Sequence, residues 1–361
     1  MIARNESRCL ARCLKSVRGG ADEIVLVDTG STDDTRKIAE SFGARVQAIE
    51  WPEDFAKARN ASLDLVETEW TLWLDADEWL VEGAADAIRR AIRMDEALAF
   101  TLIRRDTLPD GRYGEQSLLR LWRTHPALRF VGVIHEHFPD EALAAAFPGM
   151  TAHGSDIAFW HDGFREEATR EKHIRNLALL RKELEIRPGQ LYYEIELAST
   201  LSRLGDPEAI DSQEAIADHL AKLQDSDEPP CNTAELFLIT YLADLPESEL
   251  HSARTDALVR VARGWFPRSP TLLSVLSQIA IRRGDLHSAY SALVEVEKMA
   301  EEGTYDRTTS VQPTVLQEAL FTNLALVAHQ LGKREVARRN YERLLRIDPE
   351  NPVANQNLRL L

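Results

Sequence analysis

Three acidic residues fall within four positions, Asp75, Asp77 and Glu78, directly after the apolar run Trp70-Thr71-Leu72-Trp73-Leu74. The run is short and rich in large apolar side chains, which predicts a buried strand. Carboxylates at the carboxyl end of such a strand lie where open α/β sheets bind their ligands. Side chains two apart on extended backbone share a side, so Asp75 and Asp77 are expected to face the same way. Two carboxylates so placed repel each other unless a cation lies between them. Hard oxygen donors suit Mg²⁺ or Mn²⁺, and Mg²⁺ commonly completes its shell with substrate phosphates. The pattern therefore permits a metal–diphosphate site. An Asp-x-Asp triplet by itself is equally compatible with a solvated acidic turn.

The surrounding elements must position these groups. Leu10, Leu14 and Val17 recur at helical spacing, and Gly19-Gly20 ends that helix. Glu23 to Val27 reads as a strand that delivers Asp28 to its carboxyl end. Ser31 or Thr32 is placed to cap a helix running through Ile38 and Ala39 to Phe42. Gly43 ends it, and Arg45 to Ile49 forms the next strand, completing a parallel strand–helix–strand unit. Asp28 can accept from a base imide or a ribose hydroxyl, or it can simply cap its turn. Asp54 to Leu63 predicts a helix with Lys57 and Arg59 near its start, where cations can face a diphosphate. A helix over Gly83–Met94, a strand over Ala99–Arg104 and a loop over 106–117 follow. Leu118–Trp122 and Phe130–Ile134 read as short strands, the second leading into His135-Glu136-His137. Trp160-His161-Asp162-Gly163 closes this half.

Six blocks in fixed order carry a family resemblance: Arg4-Asn5-Glu6, Val27-Asp28-Thr29-Gly30-Ser31-Thr32-Asp33, Phe55-Ala56-Lys57-Ala58-Arg59-Asn60, Leu72-Trp73-Leu74-Asp75-Ala76-Asp77-Glu78, Ile134-His135-Glu136 and His161-Asp162-Gly163-Phe164. Over residues 1 to about 190 the chain resembles family-2 glycosyltransferases of the GT-A fold, in the branch with a helical-repeat tail. The resemblance implies transfer of a sugar from a nucleotide-diphosphate donor, a UDP-sugar, with Mg²⁺ or Mn²⁺ stabilising the leaving diphosphate. It makes Asp77 the metal ligand in the DxD motif, and Asp75 a contact to the ribose or the metal. Asp28 holds the uracil or ribose, Arg59 the diphosphate, and Asn5 and Glu6 belong to the donor site. His161 is a further metal or phosphate ligand. If the reaction inverts the anomeric carbon, a base must act from the face opposite the leaving group. Glu136 is the expected base, with His135 orienting it or replacing it; Glu78 and Asp156 are weaker candidates. Members of the family carry a full strand before Arg4-Asn5-Glu6. Only Met1-Ile2-Ala3 stand there in this sequence, so the first strand is expected to be truncated.

From residue 166 the pattern is helical almost throughout. Phe321, Leu324, Ala325 and Ala328, then Leu331-Gly332, then Ala337, Tyr341, Leu344 and Pro349 resemble a tetratricopeptide repeat. Weaker copies break at Leu204-Gly205-Asp206 and Arg283-Gly284-Asp285. The expected architecture is thus an α/β GT-A (Rossmann-like) mixed-sheet domain over 1–165, followed by an all-α tetratricopeptide-like domain over 166–361. Such repeats bind a protein or peptide acceptor or pair two subunits into a homodimer; the alternative is an idle transferase domain whose repeats act as a protein-binding module. The 361 residues and 44% hydrophobic content support two cored domains. A net charge of −16 excludes nucleic acid and anionic membrane surfaces as partners. Cys9, Cys13 and Cys231 give no disulfide framework. No apolar run has membrane-spanning length, and the amino terminus has no secretory apolar region, so a cytoplasmic protein is expected. A nucleotidyltransferase would place a Gly-rich basic loop after its first strand, and a dinucleotide enzyme a G-x-G-x-x-G; the sequence has neither.

Overall fold

The computed structural model describes residues 1–108, 111–139, 141–162 and 169–361. The chain divides into two units, Met1–Pro188 and Gly189–Leu361. In the first, β1 (Ile2–Ala3), α1 (Leu10–Ser16), β2 (Val25–Asp28), α2 (Thr35–Ser41) and β3 (Arg45–Ala48) alternate and build a parallel sheet in the order β1-β2-β3. Ile2 pairs with Val27, and Leu26 with Val46. Every residue of β2 is buried, which explains its unbroken apolar run before Asp28.

The next elements are α3 (Phe55–Leu63), β4 (Trp70–Leu72), β5 (Glu78–Leu80), α4 (Ala84–Ala91), β6 (Ala97–Thr107), β7 (Tyr113–Arg123), α5 (Ala142–Ala146), β8 (Thr151–His161) and α6 (Thr169–Ile186). Their strands form a second sheet, ordered β4-β7-β6-β8-β5 and mixed, with β6 and β8 parallel. A cavity of about 270 Å³ lies between the sheets, lined by Ile24 and Val25 on one side and Trp70 to Leu74 on the other. The first unit is therefore the expected α/β mixed-sheet domain, built as two sheets.

Several local expectations are corrected. The loop foreseen over 106–117 is largely the β6/β7 hairpin. Its charged residues mask the strand pattern, but they pair across it: Arg104 sits opposite Gln116 and Arg105 opposite Glu115, each joined by a side-chain hydrogen bond. The strand expected over Phe130–Ile134 is reduced to one bridge, Val131 to His137. Strands β5 and β8 were not foreseen, because their apolar positions are interrupted by Glu78 and by the polar start of β8. Neither Ser31 nor Thr32 caps α2, which begins at Thr35; the Ser31 hydroxyl accepts the Asn5 N–H instead. Asp54 does cap α3, accepting the Lys57 N–H at 2.9 Å.

The 165/166 boundary falls outside the described residues, and α6 belongs to the first unit. Its Glu183 is 1% exposed and accepts the Val133 N–H at 2.6 Å. Arg187, one turn later, is its ion-pair partner. The Val133 carbonyl in turn receives the Phe55 N–H at the start of α3. This helix thus pins the strand-like segment that leads into His135 and Glu136.

The second unit contains α7 (Leu191–Leu204), α8 (Glu208–Lys222), α9 (Ala234–Ala243), α10 (Ala253–Trp265), α11 (Pro270–Arg282), α12 (Leu286–Glu302), α13 (Pro313–Leu316), α14 (Glu318–Gln330), α15 (Arg334–Ile347) and α16 (Pro352–Leu358). Among the described residues of this unit there is no strand. Three helical hairpins, α7–α8, α11–α12 and α14–α15, turn on Gly205, Gly284 and Gly332, at φ 71°, 77° and 71°. Only glycine takes that left-handed conformation without strain, so the Leu-Gly and Arg-Gly signals mark true helix ends. Ala325, Ala328 and Ala337 are fully buried beside Tyr341, the small-residue contact expected of a tetratricopeptide-like pair. No described helix is long and apolar enough to cross a membrane.

The role of Glu183 gives a stability test. Glu183→Ala strips a buried N–H of its acceptor and is expected to lower unfolding free energy by about 2–3 kcal/mol, measured by urea denaturation. Glu183→Gln, which keeps an acceptor oxygen, is expected to cost less than half of that.

Candidate donor and metal site

The Asp75-Ala76-Asp77 segment is a turn between β4 and β5, not extended strand. The Glu78 N–H closes it onto the Asp75 carbonyl at 3.1 Å. This removes the premise that both carboxylates face one way, and the two are held by different partners. Asp75 Oδ1 accepts from Arg59 Nη2 at 2.6 Å and from Trp73 Nε1 at 3.2 Å. Arg120 Nη1 lies 3.9 Å from its other oxygen. Asp77 instead lies 3.5 Å from His161 Nε2, through its Oδ2.

Behind the turn is a buried charge cluster. The Arg59 and Arg120 guanidinium groups lie 4.3 and 4.4 Å from the centre of the Trp73 indole. Arg120 Nη2 donates to Glu78 Oε1 at 2.6 Å, and Glu78 Oε2 accepts the Asp75 N–H at 2.9 Å. Burial pushes the Glu78 carboxyl above its usual range, against the opposing pull of Arg120. Burial acts on Asp75 in the same sense, but Arg59 and Arg120 outweigh it and hold Asp75 well below the carboxylate range. Arg59 Nε donates to Glu136 Oε1 at 2.9 Å. One buried guanidinium therefore ties Asp75 to Glu136, the expected base. Two cations face three carboxylates here, so the cluster keeps at most one excess negative charge, reduced to the extent that Glu78 holds its proton.

His161, at the end of β8, joins two carboxylates. Its Nδ1 lies 2.7 Å from Asp106 Oδ1 on β6, and its Nε2 faces Asp77. Burial lowers the imidazole pKa, but its hydrogen bonds to the Asp106 and Asp77 carboxylates overcome this and raise it to about 9. Among the described residues no set of three or more His, Cys, Asp or Glu side chains forms a ready metal cage. Two convergent donors, Asp77 and His161, nevertheless fit a hard divalent ion that takes its remaining oxygens from phosphates and water.

Asp28 is 1% exposed at the end of β2. Its Oδ1 accepts the Gly30 and Ser31 N–H groups at 3.0 and 2.9 Å, while its Oδ2 is buried with no hydrogen-bond partner. An orphaned carboxylate oxygen there fits an incoming N–H or O–H. Asn5 and Glu6 knit the loops after β1 and β2 together: Asn5 Oδ1 accepts the Thr32 N–H, and the Glu6 N–H donates to Thr35 Oγ1. His135 occupies a left-handed conformation at φ 53° in the loop before Glu136. Cys9 and Cys13 are buried, and burial pushes the Cys9 thiol up to about 12. Phe164 and Gly163 of the last sequence block lie outside the described residues.

Residues 1–147 match the family described as Glycosyl transferase family 2. The match covers the part of the chain that holds the Asp75–Glu78 turn, Arg59 and Glu136. Two curated relatives are similar to parts of the chain. A TPR repeat-containing protein of Synechococcus elongatus is 41% identical over 144 residues, covering 40% of this chain and 36% of that protein. The prophage-derived glycosyltransferase SunS of Bacillus subtilis is 24% identical over 231 residues, covering 62% and 54%. The chain thus spans between about a third and about half of the length of these relatives. Among solved structures, residues 1–349 of TarS from S. aureus align over 86% of this chain and 94% of that one, at 14% identity and a TM-score of 0.36. That likeness is too distant to carry a functional argument.

Three residues of the candidate site were not foreseen: Arg120, Trp73 and Asp106. Arg120 was visible as a charge inside the apolar run Leu118–Trp122, a position that requires a buried counter-ion. The Asp106 role had no local signal, because it depends on the register that places β6 beside β8.

The raised His161 pKa makes a pH prediction for metal-free protein. A raised pKa adds stability below the unfolded value of 6.5, and the gain is lost as pH rises through about 9. Wild type is expected to exceed His161→Gln by on the order of 2 kcal/mol at pH 6, with the gap closing by pH 10 in thermal melts.

Proposed function

We propose that the family-2 domain is a metal-dependent, inverting transferase that moves a sugar from a UDP-sugar to an acceptor nucleophile. The observation that carries this is the convergence of Asp77 and His161 on one point after β4 and β8, with the orphaned Asp28 oxygen at the carboxyl end of β2. Asp77 and His161 would hold Mg²⁺ or Mn²⁺, which when bound offsets the charge that builds on the departing diphosphate. Asp28 would accept from the uracil imide or a ribose hydroxyl. Asp75, neutralised by two guanidinium groups, serves better as an acceptor for a donor hydroxyl than as a metal ligand. Arg59 is engaged by Asp75 and Glu136, so its role is to fix these two carboxylates relative to each other.

Glu136 takes the proton from the acceptor as the acceptor atom bonds to the anomeric carbon and the bond to the diphosphate breaks. His135 shapes the loop that presents it. The acceptor is a protein or peptide brought by the helical unit, which is also the surface for any homodimer. A second reading has one observation in its favour: the Glu136 side chain is only 10% exposed and paired to Arg59. On that reading Glu136 is structural, and the domain binds donor without transferring it.

Two experiments test these assignments. Calorimetry with UDP-sugars is expected to show binding at least about tenfold weaker when EDTA is present or when Asp77 is replaced by Asn; equal affinity in all three would remove the metal from the reading. Glu136→Gln is expected to keep donor affinity and to lose about 100-fold or more of donor hydrolysis, with water as the acceptor. Full hydrolysis by that variant would favour the structural role.

A further inference from the structure

Asp106 is the nearer of the two carboxylates that meet the His161 ring. Asp106 and His161 are direct neighbours in the parallel β6/β8 ladder. Asp106 is 7% exposed, and its Oδ1 lies 2.7 Å from His161 Nδ1. It is itself fixed from the far side: Arg104, two residues earlier on β6, reaches Asp106 through Nε and Nη2, and Arg104 Nη2 also donates to Gln116 Oε1 on β7 at 2.9 Å. A chain of contacts thus runs from Gln116 through Arg104, Asp106 and His161 to Asp77, across three strands of one sheet.

We infer that Asp106 is a positioning residue for the metal: it holds the proton of His161 on Nδ1 and fixes the ring so that the Nε2 lone pair faces the ion shared with Asp77. The inference rests on the metal reading above and adds a residue that the sequence did not single out. The physical reason is the two-sided chemistry of imidazole. A neutral ring has one N–H and one lone pair, and whichever nitrogen donates to a carboxylate leaves the other as the ligand. A carboxylate partner also makes that ligand more basic, and loss of such an outer partner typically weakens metal binding about 10- to 100-fold. Arg104 keeps Asp106 from turning away to bind the ion itself. Strand pairing fixes the geometry because neither residue can shift without breaking the β6/β8 register.

The test uses the full chain and Mn²⁺ alone as probe, without nucleotide or acceptor. Mn²⁺ affinity is measured by calorimetry for wild type, His161→Ala, Asp106→Ala and Asp106→Asn. The His161 ring proton is located by long-range ¹H–¹⁵N NMR in Mg²⁺-saturated protein. Expected are about tenfold or greater loss for Asp106→Ala, a smaller loss for Asp106→Asn, which keeps an acceptor oxygen, and a proton on Nδ1 in wild type. Wild-type affinity in both Asp106 variants, or a wild-type ring proton on Nε2, overturns the inference while His161→Ala still weakens binding. Wild type that binds no Mn²⁺, or a His161→Ala variant that binds it unchanged, instead overturns the metal reading on which the inference stands. If Asp106→Ala fails to fold, as judged by circular dichroism, Asp106→Asn and the wild-type NMR measurement decide.

Discussion

The structure of the site depends on one buried guanidinium. Arg59, on α3, donates to Asp75 in the turn after β4 and to Glu136 in the loop before the β8 region, and packs against Trp73. A buried cation must be paired, and a buried ion pair loses far more by losing one partner than it gains in net stability by existing. The three segments that meet at Arg59 are therefore coupled by charge. They come from residues 59, 75 and 136, so the pairing also closes long loops.

Arg120 repeats the device from below. It pairs with Glu78 and approaches Asp75, so the acidic turn is braced by two cations that both pack against the Trp73 ring. What remains is a division of labour among acidic residues with adjacent numbers. Asp75 and Glu78 are spent on the brace, whereas Asp77 escapes it and faces His161. Environment, not residue type, separates them, and this is the usual way in which neighbouring carboxylates acquire different tasks.

The excess negative charge of this region fits the electrostatics of the whole chain. A chain at −16 repels a diphosphate unless something local offsets the field. Arg59 and Arg120 each pair with carboxylates, and each keeps one buried Nη1 without a hydrogen-bond partner. The histidine held between Asp77 and Asp106 marks where positive charge is tolerated, since those two carboxylates raise its pKa against the effect of burial. The hairpins of the helical unit are held by small buried residues and by glycines at the helix ends.

The sequence by itself determined a good deal. The apolar run before Asp28, the Gly-punctuated helix pairs and the Trp70–Leu74 stretch read directly into β2, the helical hairpins and β4, because their patterns depend on neighbours only a few residues away. The ordered sequence blocks carried the family-2 resemblance for the same reason. Tertiary structure alone decided the rest. It turned the Asp75–Asp77 pair from an extended strand end into a bend, and it made Arg59 a brace. It extended β6 and β7 through residues that look like loop, and it placed Asp106 beside His161. Each of these outcomes rests on a partner some tens of residues away, such as Arg120 for Glu78 or His161 for Asp106, and a local pattern carries no record of which distant charge will neutralise a buried one.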